Sequence, residues 1–497
     1  MGVQISPRAH GAYGVMVSTR ACGALSQGSN PCRHPMKEIK IFPEPISLKK
    51  LIGPSFVILA LGLGSGEVIL WPYLTANYGL GIAWGAILGI TFQYFMNMEI
   101  ERYTLVKGES VFVGIYKLFK PAVYWFIIST FIGFGLPGII AASAQVMANV
   151  FGLDNFKWIA IPFLFLIGLI LSTGKTVYGM MEHLTKIIIL TGVPFIFLLA
   201  VFLSTKTDWS ALLNGIIGRG EGFWFLPEGI SIATFLAAFA YSGAGGNLNL
   251  TQSIYIKEKG YGMGFYSQKI SSLFSLKKDN EIILDGTDCA VTPENINRFQ
   301  KWWKLISIEH AFVFWFLGVV SMIFLMLLSY ATTFGNVGNA EGINFVINEG
   351  MVIGQMVFPF VGVLFLVVVS IMLFQTQLGV MDSTSRIMAE NFAIRKLHGK
   401  EKAKINLSKI YYSFVWAQIA FGIILFLFNI YEPKTLIVLG AVINAFAMFV
   451  HLFLVFWLNN RSLPEVFRPN LTRKIIIGII FVFFGVFSFI VLWDKIF

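Results

Sequence analysis

GLGSGEVILWP, residues 62–72, sets three glycines and a carboxylate, Glu67, inside a stretch that is otherwise apolar. A carboxylate near the centre of a bilayer costs ~2.5 to 3.5 kcal/mol on insertion scales, so such a group marks an ion or substrate pathway far more often than it serves packing. The glycines weaken the helix at the same point, because glycine is ~1 kcal/mol less favourable than alanine in a helix interior.

The rest of the chain supplies the membrane that this reading needs. Of its 497 residues, 56% are hydrophobic and 13% charged, and the mean hydropathy is +0.74. These values describe an all-α polytopic membrane protein. The net charge of +11 does not mark a nucleic-acid binder: the basic residues fall in short loops between apolar runs and form no basic domain with interleaved aromatics. Cys22, Cys32 and Cys289 form neither a CxxC pair nor a Cys/His cluster, which excludes a zinc site and a disulfide framework. No cofactor motif occurs. GLILSTGKT, residues 168–176, has five residues between its glycines where a Walker A loop has four, and it ends a membrane helix; Lys175 reads as a cytoplasmic anchor.

From Leu51 onward, eleven runs are long enough to cross a core of ~30 Å. They lie at about 52–73, 80–98, 122–150, 157–173, 185–204, 229–255, 306–331, 352–378, 409–430, 435–458 and 474–493. Residues 1–35 are small, polar and aperiodic, and they read as a disordered tail or as a start assigned too early, with Met36 opening MKEIKIFPEPISLKK. Residues 36–497 read as one transporter domain. With the N-terminus in the cytoplasm and the C-terminus outside, 32 of the 37 Lys and Arg fall on the cytoplasmic side, leaving Lys157, Lys206, Arg219, Lys434 and Lys495 outside. The largest loop, 257–305, reads as a solvated cytoplasmic linker; Trp302 and Trp303 suit an interfacial anchor, and Asp279, Glu281, Asp285 and Asp288 form an acidic patch. In helix 2, Gly81, Gly85 and Gly89 recur every four residues, a spacing that allows close helix packing.

A second irregularity mirrors the first. FLAAFAYSGAGGNLNLTQSIYI, residues 235–256, begins as an apolar helix, stops at Ser242-Gly243-Ala244-Gly245-Gly246, and continues through Asn247, Asn249, Thr251 and Gln252. Backbone groups freed at such a stop must be satisfied by protein or by a water-filled cavity. Interrupted segments at positions one and six of ten are the sequence signature of an inverted-repeat transporter. Repeat one then spans about 51–204, repeat two about 229–458, and the helix at 474–493 is an appendage.

GPSFVILALGLGSGEVILWPYL (residues 53–74) and YSGAGGNLNLTQSIYIKEKGYGMG (residues 241–264), with FQTQLGVMDSTSRIMAENF (residues 374–392), resemble the Nramp (natural resistance-associated macrophage protein) metal-ion transporters, in a divergent prokaryotic branch. The resemblance extends from about residue 36 to the end. It implies a five-plus-five inverted repeat of the amino-acid and sodium symporter type, with alternating access and protons moving alongside divalent cations. Where well-studied members carry Asp-Pro-Gly-Asn, this chain has Gly64-Ser65-Gly66-Glu67; where they carry Met-Pro-His, it has Ala244-Gly245-Gly246. A site of Glu67, Asn247, Asn249 and backbone carbonyls is all oxygen, which suits a hard cation such as Mg²⁺ or Mn²⁺ better than a soft metal.

Other polar residues at membrane depth are Gln93 and Asn97 in helix 2, Gln145 in helix 3, Glu309 and His310 in helix 7, Gln375 and Gln377 in helix 8, and Asn444 and His451 in helix 10. Interhelical hydrogen bonding accounts for most such amides; Gln375, Gln377 and Asn444 are kept as contributors to the site. Glu67 is a metal ligand together with Asn247, a proton-coupling group with His451 further along a proton path, or a glutamate paired with a neighbouring helix. Asp382 and Arg386, one turn apart, form a local ion pair or a gate element. The leading function is a secondary transporter of a divalent cation; the rivals are a same-fold carrier of an amino acid or other small organic solute and a non-transporting membrane sensor. The partners implied are the transported cation, a proton and the bilayer. No HExxH, Walker A or nucleophile elbow points to an enzyme, and no feature points to a protein partner.

Overall fold

The structure, a computed structural model, describes residues 39–46, 51, 53–173, 177–267, 284–336, 339, 343–397 and 406–496. The 1–35 segment, Met36, Lys175, Asp279 and Glu281 lie outside the described residues. Apolar runs of spanning length form helices because an α-helix satisfies its own backbone polar groups in lipid. The spans are α1 (Pro54–Tyr78), α2 (Ala83–Lys107), α3 (Ala122–Val150), α4 (Lys157–Ser172) and α5 (Val177–Leu203). After them come α6, in two halves, α6a (Ile232–Ala240) and α6b (Thr251–Lys259), then α7 (Pro293–Thr333) and α8 (Pro359–Leu397). The last three are α9 (Leu407–Leu427), α10 (Pro433–Ser462) and α11 (Leu471–Ile496). A minimal parallel pairing of β1 (Ile39–Lys40) with β2 (Asp288–Cys289) joins the segment before α1 to the connection before α7.

α1 sits at the centre, with every residue from Pro54 to Ala76 buried. α11 is peripheral and turns Ile475, Ile479, Val482, Val486 and Phe489 outward. Such an apolar outer face is what lipid contact requires.

Several helix ends differ from the expected ones, among them α8, which runs on to Leu397, and α5, which starts at Val177. α2 runs on to Lys107, and its last turns bury Glu99, Glu101 and Arg102 among neighbouring helices. Arg102 forks onto Glu99 at 2.8 and 3.2 Å, so protein partners replace the water that those charges would need. α7 begins at Pro293, where the Thr292 hydroxyl accepts from the Asn295 N–H and caps it. α8 starts at Pro359, with a separate short helix, Asn344–Met356, before it; a proline ring suits the first turn of a helix and not its interior.

Trp302, expected at the interface, is instead 1% exposed, and its indole N–H donates to the Pro43 carbonyl at 2.9 Å. Trp303 lies under the guanidinium groups of Arg102 and Arg473. Arg386 reaches beyond its local pair with Asp382 (2.8 Å) to Glu258 of α6b (2.6 Å). Tyr255 of α6b and Tyr411 of α9 both donate to Asp382. The pair therefore fastens α6b to α8 and α9.

Candidate functional site: the crossing of α1 and α6

α6 breaks where its sequence runs out of helix formers. α6a ends at Ala240; Gly245 and Gly246 then adopt φ values of +73° and +51°, a left-handed region that side chains with a Cβ enter only at a cost. A 3₁₀ turn over Gly246–Leu250 leads into α6b, with the Thr251 hydroxyl donating to the Leu248 carbonyl. Side chains from other helices brace the break, and one of them satisfies two of the freed backbone groups. Gln93 of α2 donates to the Ala240 carbonyl at 2.9 Å and accepts from the Gly245 N–H at 3.1 Å, spanning the gap. Asn444 of α10 donates to the Tyr241 hydroxyl and to the Gly133 carbonyl, both at 2.9 Å. Trp71 of α1 donates to Ser242 at 2.9 Å.

α1 behaves differently. Its first α-helical stretch ends at Gly62, Leu63 and Gly64 form a turn, and a wide π-helical turn over Ser65–Leu70 follows, so the discontinuity expected there is a short interruption and not a long gap. π turns of this kind are frequent at functional sites. The glycines let the two helices touch. A Cβ on Gly62 would lie 2.6 Å from the Gly243 Cα; one on Gly66 would fall on the Tyr241 carbonyl, and one on Gly64 on the Thr376 side chain of α8.

Glu67 is fully buried. Its Oε2 lies 2.8 Å from the Ser321 hydroxyl of α7, and its Oε1 has no hydrogen-bond partner. The same hydroxyl is 2.9 Å from the Leu317 carbonyl and 3.1 Å from that of Gly318. One hydroxyl proton cannot serve all three acceptors well. Either Ser321 donates to an ionised Glu67, or a protonated Glu67 donates to Ser321 while the hydroxyl turns to its own helix. The pair can therefore hold or release a proton without rearranging the backbone.

Asn247 faces α3: its Nδ2 donates to Ser129 at 2.7 Å and to Thr130 at 3.0 Å, and its Oδ1 is unpartnered. Glu67, paired to α7, and Asn247, paired to α3, thus share no direct hydrogen bond. Asn249 is fully buried with both side-chain polar atoms unpartnered, and the Gln377 Oε1 and Asn444 Oδ1 are unpartnered as well. Asn444 packs on Gly246. Ala244 is buried in the break itself. Gln375 turns to α5, where it donates to Thr185 at 2.7 Å.

His451 makes no hydrogen bond with Glu67. It lies two turns beyond Asn444, about 10 Å along α10, and lines a small cavity with Met96, Glu99 and Asn459 of α2 and α10 and Ile477 of α11. Both its ring nitrogens are unpartnered.

Ser321, Thr376 and Tyr241 were not singled out from sequence. A serine or threonine in an apolar helix gives no signal beyond its type, and a tyrosine before a glycine run reads as core. Gln93 was visible as a membrane-depth amide, but its hold on the break follows only from tertiary contact.

Among the described residues no three or more His, Cys, Asp or Glu side chains are grouped to hold a metal ion. What the crossing offers is one carboxylate and a set of neutral oxygens.

No family profile matches this chain, and no curated protein matches its sequence. Solved structures do match its fold. A mutant of the Eremococcus coleocola manganese transporter aligns with a TM-score of 0.65 at 12% identity, over 92% of this chain and 90% of that one. MhsT in complex with L-phenylalanine aligns with a TM-score of 0.55 at 13% identity, over 88% of this chain and 97% of that one. At these identities the likeness establishes the fold: an all-α, multi-pass membrane protein with the five-plus-five inverted repeat of these proteins and an eleventh helix.

Proposed function

We propose that this chain is a secondary transporter of a hard divalent cation, Mg²⁺ or Mn²⁺, which it carries through the crossing of α1 and α6 with a proton exchanged at Glu67. One observation carries the reading. The elements that meet around the break, α1, α6, α8 and α10, hold buried oxygens without hydrogen-bond partners: Glu67 Oε1, Asn247 Oδ1, Asn249 Oδ1, Gln377 Oε1 and Asn444 Oδ1. Buried acceptors in native proteins nearly always have partners, so unpartnered oxygens on the elements that cross here are open to a ligand. Oxygens alone favour a hard cation, and a single carboxylate suits one that keeps much of its water. The manganese transporter of like fold and the helix 1, helix 6 and helix 8 resemblance to Nramp proteins agree with a metal cargo. The lost thioether and imidazole ligands move the preference toward Mg²⁺ and Mn²⁺. The positive-inside distribution puts the N-terminus in the cytoplasm and the C-terminus outside.

A small organic solute is the second reading, favoured by the shared fold with MhsT, a structure bound to L-phenylalanine. Glu67 at the crossing opposes a free carboxylate on such a solute. Uptake into proteoliposomes of Mg²⁺, Mn²⁺, Fe²⁺ and an amino-acid mixture separates the two. Divalent uptake by the wild type, reduced about tenfold or more in Glu67→Gln (~1.4 kcal/mol or more), is the expected result. Amino-acid uptake without divalent uptake would replace the cargo, unchanged metal uptake in the variant would remove Glu67 from the mechanism, and no uptake of either would favour a sensor.

A further inference from the structure

A second cluster of buried ionisable groups lies away from the crossing, where α1, α2, α6b and α7 meet. The Ser55 hydroxyl of α1 lies 2.5 Å from the Glu309 Oε2 and 2.8 Å from the His310 Nδ1, both on α7. The same Nδ1 is 3.2 Å from the Glu101 Oε1 of α2, which accepts from Gln252 of α6b at 2.6 Å. Glu101, Glu309 and His310 are 1%, 4% and 0% exposed. Glu101 Oε2, Glu309 Oε1, His310 Nε2 and Gln252 Oε1 have no partners.

The surroundings divide the two carboxyls. Glu309 has compensation: the Ser55 hydroxyl, the Gly53 backbone N–H at the start of α1, and the ammonium groups of Lys186 and Lys259 within electrostatic reach. Those two lysines also pair with Glu182. Glu101 has less. The like charge of Glu309 is within electrostatic reach of it, Arg473 of α11 is also within reach but pairs with Glu99 at 3.2 Å, and the further ionisable neighbours are Tyr94, stacked on His310, and Tyr261, which donates to the Leu51 carbonyl.

Proton bookkeeping then limits where the hydrogens lie. With Ser55 donating to Glu309, a hydrogen on the His310 Nδ1 has two acceptors in reach, the Ser55 oxygen at 2.8 Å and the Glu101 oxygen at 3.2 Å. It is carried by the imidazole when Glu101 is ionised. When one further proton is taken up, either Glu101 donates to Nδ1 with the ring hydrogen now on Nε2, or the ring is an imidazolium against the carboxylate. Both states keep Ser55, Gln252 and Glu309 in place.

We propose that Glu101 and His310 form a proton-binding site separate from Glu67, holding one exchangeable proton that is shared across α2 and α7. The site touches the N-terminal half of α1 through Ser55 and the second half of α6 through Gln252, the two segments that flank the crossing, so its occupancy acts on both broken or widened elements. It does not depend on which cargo the crossing carries.

The test uses the full chain in lipid nanodiscs without cargo, with infrared difference spectra recorded between acidic and alkaline buffer in H₂O and in D₂O. The expected result is a titrating carboxylic C=O band that survives in Glu67→Gln, disappears in Glu101→Gln, and shifts its midpoint by about one pH unit or more, equivalent to ~1.4 kcal/mol, in His310→Gln. A band that survives in Glu101→Gln, or one whose midpoint His310→Gln leaves unmoved, overturns the proposal. If Glu101→Gln fails to elute as a folded species, the His310→Gln shift decides alone. Replacing choline by sodium in the buffer should change nothing; competition by sodium would make this a metal-cation site and overturn the proton reading. The Glu67→Gln arm reports on the crossing separately, so the failure of one site is not mistaken for the failure of the other.

Discussion

At Gly66 a single hydrogen atom in place of a side chain lets α1 lie against the Tyr241 carbonyl. Gly66→Ala should force the helices apart, and overpacking of this kind costs ~1 to 3 kcal/mol. Gly478, on α11, has no atom within 4 Å of where its Cβ would be, so Gly478→Ala should be neutral or mildly stabilising, up to ~1 kcal/mol from helix propensity. Thermal unfolding in detergent checks both: a lowered midpoint for Gly66→Ala beside an unchanged or raised one for Gly478→Ala is expected, and equal midpoints would mean that the close approach contributes nothing. The three glycines and Glu67 were legible in the sequence because they violate the pattern of a lipid-facing helix. What Glu67 faces was not. Ser321 stands 254 residues away and looks like any serine in an apolar run, so only the fold reveals that one hydroxyl is shared between a carboxyl and its own helix.

Between elements, the sequence carried the break in α6 more fully than the irregularity in α1. A run of glycines followed by amides withdraws helix propensity over several residues, and the chain does leave the helix there. In α1 only Leu63 and Gly64 leave the helix; beyond them the apolar residues retain enough propensity, and tertiary packing enough support, for the backbone to rewind as a π turn over Ser65–Leu70. Local composition measures how weak a helix is; the neighbours decide whether weakness becomes a gap. Gln93 is the neighbour that makes the α6 gap tolerable, since it alone among side chains bonds both the Ala240 carbonyl and the Gly245 N–H in the described residues. Gln93→Met keeps the size and removes both bonds. Each backbone group left buried without a partner costs ~1 to 3 kcal/mol, so the variant should unfold at a clearly lower denaturant concentration. Amide hydrogen exchange should quicken at Gly245 while that of α9 stays as in the wild type. Uniform quickening would show instead that the whole bundle had loosened.

Across the whole molecule, contacts between distant segments sort the loops into two faces. β1, before α1, pairs with β2, before α7, as an even number of intervening spans requires. On the other face, Lys157 after α3 bonds Asn429 after α9 at 3.2 Å, and Lys434 at the start of α10 bonds Tyr73 near the end of α1 at 2.7 Å. The fold therefore decides which loops share a side, and charge decides which side is which. The spans read from the sequence assign 32 of the 37 Lys and Arg to the side of the segment before α1, so the β1 face is predicted to be cytoplasmic. With Cys22, Cys32 and Cys289 replaced by serine, single cysteines at exposed Lys206 and exposed Lys301 test this with a membrane-impermeant maleimide. On intact cells Lys206→Cys should label and Lys301→Cys should not, and inverted vesicles should reverse the result; the opposite pattern would turn the molecule over. Removing Cys289 cleans the assay less than its position suggests, because burial pushes its thiol up to about 11 and a protonated thiol is a poor nucleophile at neutral pH. The outcome also bears on the Glu101–His310 pair. His310 is nine residues, about 13 Å, along α7 from Lys301, so the compartment that reaches Lys301 is the one whose pH that pair would sample.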